Sequence, residues 1–161
     1  MKNEQNAPQK TRWVMAPELP QEVFAIWHKP GREFSPVAIA ATTDSDGTPR
    51  TAPFASLHAL TPRMLRLCSR LEHDTYANLC RDGRVGVALL SPDCAVSVRG
   101  HARVIRPQMK CDLKYAVLEI DIEEVKNDLG ERIAIDSGIT VRAREQDEHW
   151  FDAILAERDA R

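Results

Sequence analysis

Residues 42–56 read TTDSDGTPRTAPFAS and join two strand-like segments through a tight turn. The pair Asp46-Gly47 favours a hairpin, because such turns need positive backbone φ angles. The first arm is 37–43, and the second runs from 50 to 58. The second arm is polar and small-sided, and its Pro53 lacks the N–H that a central strand donates. Pro53 therefore suits an open edge of the sheet. The residues leave two alternatives for this arm: a small-residue barrel strand packed on a helix, or a strand that faces something other than the core.

Alternating apolar residues predict further strands outside this hairpin. They lie at 64–69, 84–90, 95–105 and 114–125, with two short candidates at 132–135 and 139–141. Gly100 lies midway along the 95–105 segment, where a bulge or bend is expected. Amphipathic patterns predict helices at 17–29, 74–80 and 148–157. The strands follow one another without βαβ alternation, which indicates an antiparallel barrel.

Length and composition indicate one globular domain. The chain has 161 residues, of which 43% are apolar and 29% charged, and its formal net charge is −2. It has no excess of positive charge to bind a nucleic-acid backbone, and no apolar run approaches the roughly 20 residues of a membrane helix. We predict a flexible leader at 1–15 and a single domain at 16–161. Because no signal-peptide pattern occurs, we expect a cytoplasmic location.

The cysteines and histidines form no recognisable metal or nucleophile motif. The four cysteines include no C-x-x-C pair, and no histidine lies at zinc-ligand spacing from them. We therefore expect free thiols and no metal site, and the sequence identifies no catalytic residue.

Several short segments, taken in order, resemble the pyridoxamine 5′-phosphate oxidase-like family of FMN-binding split barrels. They are the D-G-x-P turn, the small-residue strand around Pro53, a strand ending in Ser69, a short helix ending in A-N-L, "RVGVALL" and "VSVRGHARVI". The resemblance covers roughly residues 35–106. It implies a mainly β fold, a six-stranded antiparallel split β-barrel with flanking helices, which assembles as a homodimer.

The resemblance also implies a place for the cofactor. In similar proteins the flavin lies along the second and third strands at the dimer interface, and the phosphate lies at the start of the following helix. A helix N-terminus suits an anion because its N–H groups are free and its dipole end is positive. The residues that the resemblance implies for FMN are Arg50, Ala52, Pro53, Phe54, Ala55, Ser56, Cys68, Ser69, Arg70, His73, Thr75 and Asn78.

The start of this helix departs from the family pattern. Similar proteins carry Arg or Lys there, whereas this chain has Asp74 and Thr75. Asp74 is also the type of residue that caps a helix N-terminus. Because a carboxylate repels a phosphate, Arg50, Arg70 or His73 has to compensate if FMN binds.

The resemblance implies an FMN-binding flavoprotein, an oxidoreductase acting on a small organic substrate or a nicotinamide cofactor. A haem-binding or haem-degrading split barrel, with His58 or His101 as ligand, stays open as an alternative. So do a deazaflavin protein and a cofactor-free dimeric binding or structural protein with a degenerate flavin site. We expect Trp150 and Phe151 in the core, at a dimer interface or over a flavin of the partner subunit.

Overall fold

The computed structural model describes residues 13–161 of the chain. The strands are β1 Met15–Ala16, β2 Ala38–Thr43, β3 Pro49–Phe54, β4 His58–Thr61, β5 Met64–Arg70, β6 Arg84–Ser91, β7 Cys94–Arg106 and β8 Tyr115–Asn127. The helices are α1 Gln21–Trp27, α2 Asp74–Arg81 and α3 Glu148–Asp159, with a 3-10 turn at Glu145–Asp147 before α3. The mainly β fold with flanking helices is confirmed. Strand β1 is a short addition to the six strands that the sequence predicted, and β4 begins at His58, the last residue of the predicted second arm.

All strand pairs are antiparallel and form one curled sheet. The strand order is β3-β2-β6-β7-β8-β5-β4, and β1 pairs with β8. In a flat sheet of these seven strands, β3 and β4 would lie about 29 Å apart, because neighbouring strands are roughly 4.8 Å apart. The chain joins Phe54 at the end of β3 to His58 at the start of β4 in four residue steps, which reach at most about 14 Å. The sheet therefore has to curl until its two ends meet.

One hydrophobic cluster fills the inside of this sheet and takes side chains from β2 through β8. The fully buried side chains of this cluster include Leu65, Leu67, Leu118 and Ile120 of the sheet and Trp27 of α1.

The predicted bend at Gly100 is confirmed, because the β7–β8 register shifts between Arg99 and Gly100. A Cβ atom at Gly100 would collide with the Asp121 carbonyl, so this bend needs glycine.

The N-terminal region differs from the sequence prediction. Residues 1–12 of the predicted leader lie outside the described residues. Trp13 packs against the core and Met15 begins β1. Helix α1 begins at Gln21 rather than at Pro17, because the residue before a proline avoids the helical region and Pro20 therefore delays the start.

The second arm of the hairpin and the tail also differ. The predicted strand 50–58 is two strands, β3 and β4, with a turn at 55–56. The predicted strands at 132–135 and 139–141 are wrong. That segment makes isolated backbone bonds, such as Val37 N–H to Ile139 O at 2.9 Å, instead of a ladder. Within residues 13–161, no helix has both the length and the apolar character needed to cross a bilayer.

Candidate functional site

A cleft of about 220 Å³ opens where the two ends of the curled sheet meet. Eight of the twelve residues that the sequence implies for FMN line it: Pro53, Phe54, Ala55, Ser56, Cys68, Ser69, Arg70 and His73. They come from the end of β3, the turn after it, the end of β5 and the loop before α2. The curl of the sheet brings these separate segments together at one place.

Ser56 holds the two sides of this cleft at a fixed distance. Its Oγ accepts a hydrogen bond from the Cys68 N–H at 3.0 Å and donates one to the Cys68 carbonyl at 3.1 Å. These two bonds attach the turn after β3 to β5, although the turn itself is not part of a strand. Burial raises the pKa of the Cys68 thiol to about 12. Cys68 therefore stays protonated at neutral pH and contributes packing rather than a nucleophile.

Aromatic side chains form much of the cleft wall. The Tyr115 and Trp150 rings lie 5.1 Å apart, and the Phe34 and Phe151 rings lie 4.9 Å apart, both edge to face. Phe54 meets His73 at 5.7 Å. Such walls suit a flat, apolar ring. Sequence reasoning missed Phe34 and Tyr115, since each lies far in sequence from the motifs, and no local pattern indicates where they fold.

The C-terminal helix supplies one side of the same cleft. Trp150, Phe151, Ile154 and Leu155 of α3 all line it. Ile154 and Trp150 also pack with Cys68 of β5. The sequence allowed the core, a dimer interface or a flavin of the partner subunit for Trp150 and Phe151. In the structure of this single chain both side chains line the cleft.

The remaining four implied residues, Arg50, Ala52, Thr75 and Asn78, do not line the cleft. Ala52 faces the core. The Arg50 guanidinium binds the Asp44 carboxylate, with Nε at 2.9 Å and 2.8 Å from its two oxygens. The Asn78 amide donates to Asp44 Oδ1 at 2.8 Å and to Thr42 Oγ1 at 3.0 Å. The Arg50 hydrogen bond, followed by that of Asn78, holds the pKa of Asp44 below its usual value.

The cap of α2 differs from the sequence prediction. The N-cap residue is His73, whose Nδ1 accepts a hydrogen bond from the Thr75 N–H at 3.1 Å. Asp74 is the first helical residue and lies 3.5 Å from Arg50. The helix begins one residue earlier than predicted. The capping group is therefore the His73 imidazole and not the Asp74 carboxylate. Arg50, through its contact with Asp74, also lies at the start of α2, but the basic groups that line the cleft there are His73 and the half-exposed Arg70.

Neither candidate haem ligand lies in the cleft. His58 is buried, and its Nδ1 lies 3.3 Å from the His28 carbonyl oxygen. His101 lies on the outer surface of β7, beside Gly83. All four cysteines are free thiols, as the sequence predicted.

Residues 28–128 match the sequence model of a known family, described as pyridoxamine 5′-phosphate oxidase. This range covers more than half of the chain. The protein belongs to the pyridoxamine 5′-phosphate oxidase family. The resemblance read from the sequence is confirmed.

Several solved structures share the fold of this pyridoxamine 5′-phosphate oxidase family member. A candidate pyridoxamine 5′-phosphate oxidase from Lactobacillus delbrueckii is 21% identical, with a TM-score of 0.57 over 70% of this chain and 98% of its own. An F420 reductase is 15% identical, with a TM-score of 0.56 over 67% and 98%. An FMN-binding protein from Syntrophomonas wolfei is 15% identical, with a TM-score of 0.53 over 69% and 89%. At these identities the likeness shows the fold alone. No curated protein matches the chain at a significant level.

Proposed function

We propose that this family member is an FMN-binding flavoprotein that transfers electrons to or from a small organic molecule or a nicotinamide cofactor. The observation that carries the proposal is the cleft, where eight implied residues meet among aromatic walls. Flavin chemistry is the cofactor's own, and the chain would bind, orient and shield the ring. Small side chains at Ala55 and Ser56 let a flat ring approach the backbone of the turn.

The cleft residues suit the flavin ring of FMN. The start of α2, where the resemblance places the phosphate, suits the phosphate less well. Arg50 and Asn78 already bind Asp44, so neither is a free donor for an anion. Arg70 has a weaker attachment, a 3.5 Å ion pair with the strongly exposed Glu72. We therefore assign the anionic end of the ligand to Arg70 and His73 at the mouth of the cleft.

Uptake of FMN by the purified protein tests this proposal. We expect a two-band flavin spectrum that persists after desalting, and reduction of the bound flavin by NADH or NADPH. The variant Ala55→Leu fills the floor of the cleft. It should weaken FMN binding about tenfold or more, because overfilling a packed site costs roughly 1–3 kcal/mol. Ala156→Leu, on the exposed face of α3, is the matched control and should bind normally.

The second candidate is a cofactor-free dimeric binding protein. It is favoured by the Asp44 carboxylate, which holds Arg50 and Asn78 away from any phosphate. A protein that stays colourless, and that releases all added FMN in both the parent and the Ala156→Leu forms, would establish this candidate instead. Haem is the weaker alternative, since His58 and His101 lie outside the cleft.

A further inference from the structure

Two segments that are far apart in the sequence face the cleft together. Phe34 lies in the loop between α1 and β2, while Ala55 and Ser56 form the turn after β3, and all three residues line the cleft. Neither segment belongs to a strand. Their separation, which sets the width of this part of the cleft, therefore depends on contacts outside the strand ladders.

Lys29 connects these two segments. Its Nζ donates hydrogen bonds to the carbonyl oxygens of Phe34 at 3.2 Å, Pro36 at 2.6 Å and Leu57 at 3.1 Å. An ammonium group has three N–H donors, so each of the three carbonyls receives one. The lysine is only 4% exposed, so water cannot readily replace it as the donor. Lys29 thus ties the Phe34 loop to the end of the turn after β3.

The charge of Lys29 can change at mildly alkaline pH. Burial, followed by repulsion from Arg158, lowers its pKa to about 8, although Glu33 partly offsets this. The other charged or titratable groups around it are His28, His58 of β4, and Asp159, which pairs with Arg158. Arginine keeps its proton, carboxylates are ionised and histidines largely neutral above pH 7, and burial lowers the pKa of His58 to about 4. The charge that changes here between pH 7 and pH 9 is therefore that of Lys29.

We propose that Lys29 positions the cleft for the flavin ring, and that the form of the protein with Lys29 protonated is the form that binds. This inference rests on the proposed flavin function and concerns the part of the site that this chain supplies. A neutral amine has two N–H groups and one lone pair, so it cannot hold three carbonyls. One carbonyl then loses its donor, and the Phe34 loop and the turn of Ala55 and Ser56 lose their fixed separation.

The affinity of the parent protein for FMN at two pH values tests the inference. If only the protonated form binds, the apparent affinity follows the fraction of molecules in that form. With a pKa of about 8, we expect FMN to bind about tenfold more weakly at pH 9 than at pH 7, measured by quenching of flavin fluorescence. A phosphate group is already ionised in this range, because its second pKa is about 6. Equal affinities at both pH values would overturn the inference and leave the flavin function standing.

The variant Lys29→Met assigns the pH dependence to this residue. Methionine is an unbranched side chain without charge or N–H donors. FMN should bind Lys29→Met about tenfold or more weakly than the parent at pH 7, because hydrogen bonds from a charged group are lost. Its affinity should also be the same at pH 7 and pH 9. A variant that binds FMN as the parent does, or that keeps the pH dependence of the parent, would contradict the role of Lys29.

Lys126→Met is the matched control. Lys126 is an exposed lysine near the far end of β8 and pairs with Asp128 at 3.2 Å. This variant should reproduce the affinity of the parent at both pH values. If Lys29→Met does not fold, the two affinities of the parent protein decide.

Folding stability distinguishes positioning from a purely structural role. The pKa of Lys29 in the folded protein lies below its ordinary value of 10.5, so the unfolded chain binds more protons between pH 8 and pH 10. The stability of the parent relative to Lys29→Met should therefore rise with pH in this range, while the affinity for FMN falls. Urea unfolding without FMN measures the stability. If stability and affinity fall together, Lys29 holds the fold rather than the cleft, and the inference is wrong. Failure of FMN to bind the parent at pH 7 would overturn the flavin function as well.

Discussion

Three basic side chains, Lys29, His58 and Arg158, are buried near the C-terminal end of α3, to which Arg158 belongs. The Lys29 ammonium donates to three backbone carbonyls, and burial lowers its pKa to about 8. Burial, followed by repulsion from Arg158, lowers the pKa of His58 to about 4. Asp159, whose carboxylate lies 3.6 Å from His58 Nε2, only partly offsets these effects. His58 is therefore neutral in the folded protein at pH 7.

This neutral His58 should make stability depend on pH. Its usual pKa is 6.5 and its folded value is about 4, so between these values the unfolded chain binds more protons. Stability should rise with pH across this window, by roughly 3 kcal/mol for this group. Replacing His58 with Gln should remove that part of the rise. Urea unfolding of both proteins at pH 4, 5, 6 and 7 measures it.

The exposed His149 provides the control for this titration. His149→Gln should reproduce the parent profile, because it changes an exposed side chain of α3 and leaves the buried groups around His58 in place. Carboxylates also titrate near pH 4, so the quantity to compare is the difference between parent and variant. Parallel profiles for the parent and His58→Gln would contradict the prediction.

At the same scale, most of the cleft residues that the resemblance implied lie in two short stretches of the chain. Pro53 to Ser56 and Cys68 to Arg70 reach the cleft because strand ends and their turns carry them there. Arg50 was expected at the cleft too. The hairpin turn places Asp44 beside it, and the Arg50 guanidinium binds that carboxylate instead. Phe34 and Tyr115 come from remote segments, so no local pattern could indicate them.

At the scale of single elements, α2 offers a direct test of its cap. His73→Ala removes the acceptor of the Thr75 N–H and should cost about 1 kcal/mol of folding free energy. Asp74→Ala removes an exposed first-turn carboxylate and should cost less, since only the helix dipole and a 3.5 Å contact with Arg50 are lost. Thermal or urea denaturation compares the two. His73→Asp restores an acceptor and should recover the loss.

Element types were predicted better than element boundaries. The strongly alternating β5, β6, β7 and β8 and the helix α2 were found within a few residues of their true ends. The second hairpin arm breaks into β3 and β4, because the turn at 55–56 connects opposite ends of the sheet, which is a feature of tertiary structure. The apolar residues at 132–141 resemble strands, but among residues 13–161 no strand pairs with them along a ladder.

At the scale of the whole molecule, the bend at Gly100 supports the curl of the sheet. Strands β7 and β8 form the longest pairing, and the register shifts at Gly100. Gly100→Ala places a Cβ against the Asp121 carbonyl and Ile120. This substitution should cost roughly 1–3 kcal/mol, as other overpacked sites do. The midpoint of thermal unfolding reports the change.

Gly86 is the matched control on the neighbouring strand β6. A Cβ there would meet Ala41 Cβ at 3.8 Å and the Val98 carbonyl at 3.9 Å, which are ordinary contacts. Gly86→Ala should be neutral or should stabilise the fold by about 0.4–1 kcal/mol, because it restricts the unfolded chain. Equal losses at both glycines would show that the bend does not depend on Gly100.

The fold class was predictable because turns and alternation are local signals. The strand order was not, since β2 pairs with β6 and β5 pairs with β8, and each pair is distant in sequence. The resemblance to the family supplied what the periodicity could not. It gave the split form of the barrel and the general place of the cleft, but not that the predicted C-terminal helix lines the cleft of its own chain.

The meeting of the sheet ends sets an order of events in folding. The hairpins β2–β3 and β4–β5 are neighbours in sequence and can each form within microseconds. They cannot join one sheet until β6, β7 and β8 lie between them, because those strands separate them in the final order. Rapid local pairing is thus followed by a slow, non-local closure. The cleft, which needs both sheet ends, is among the last features of the molecule to take shape.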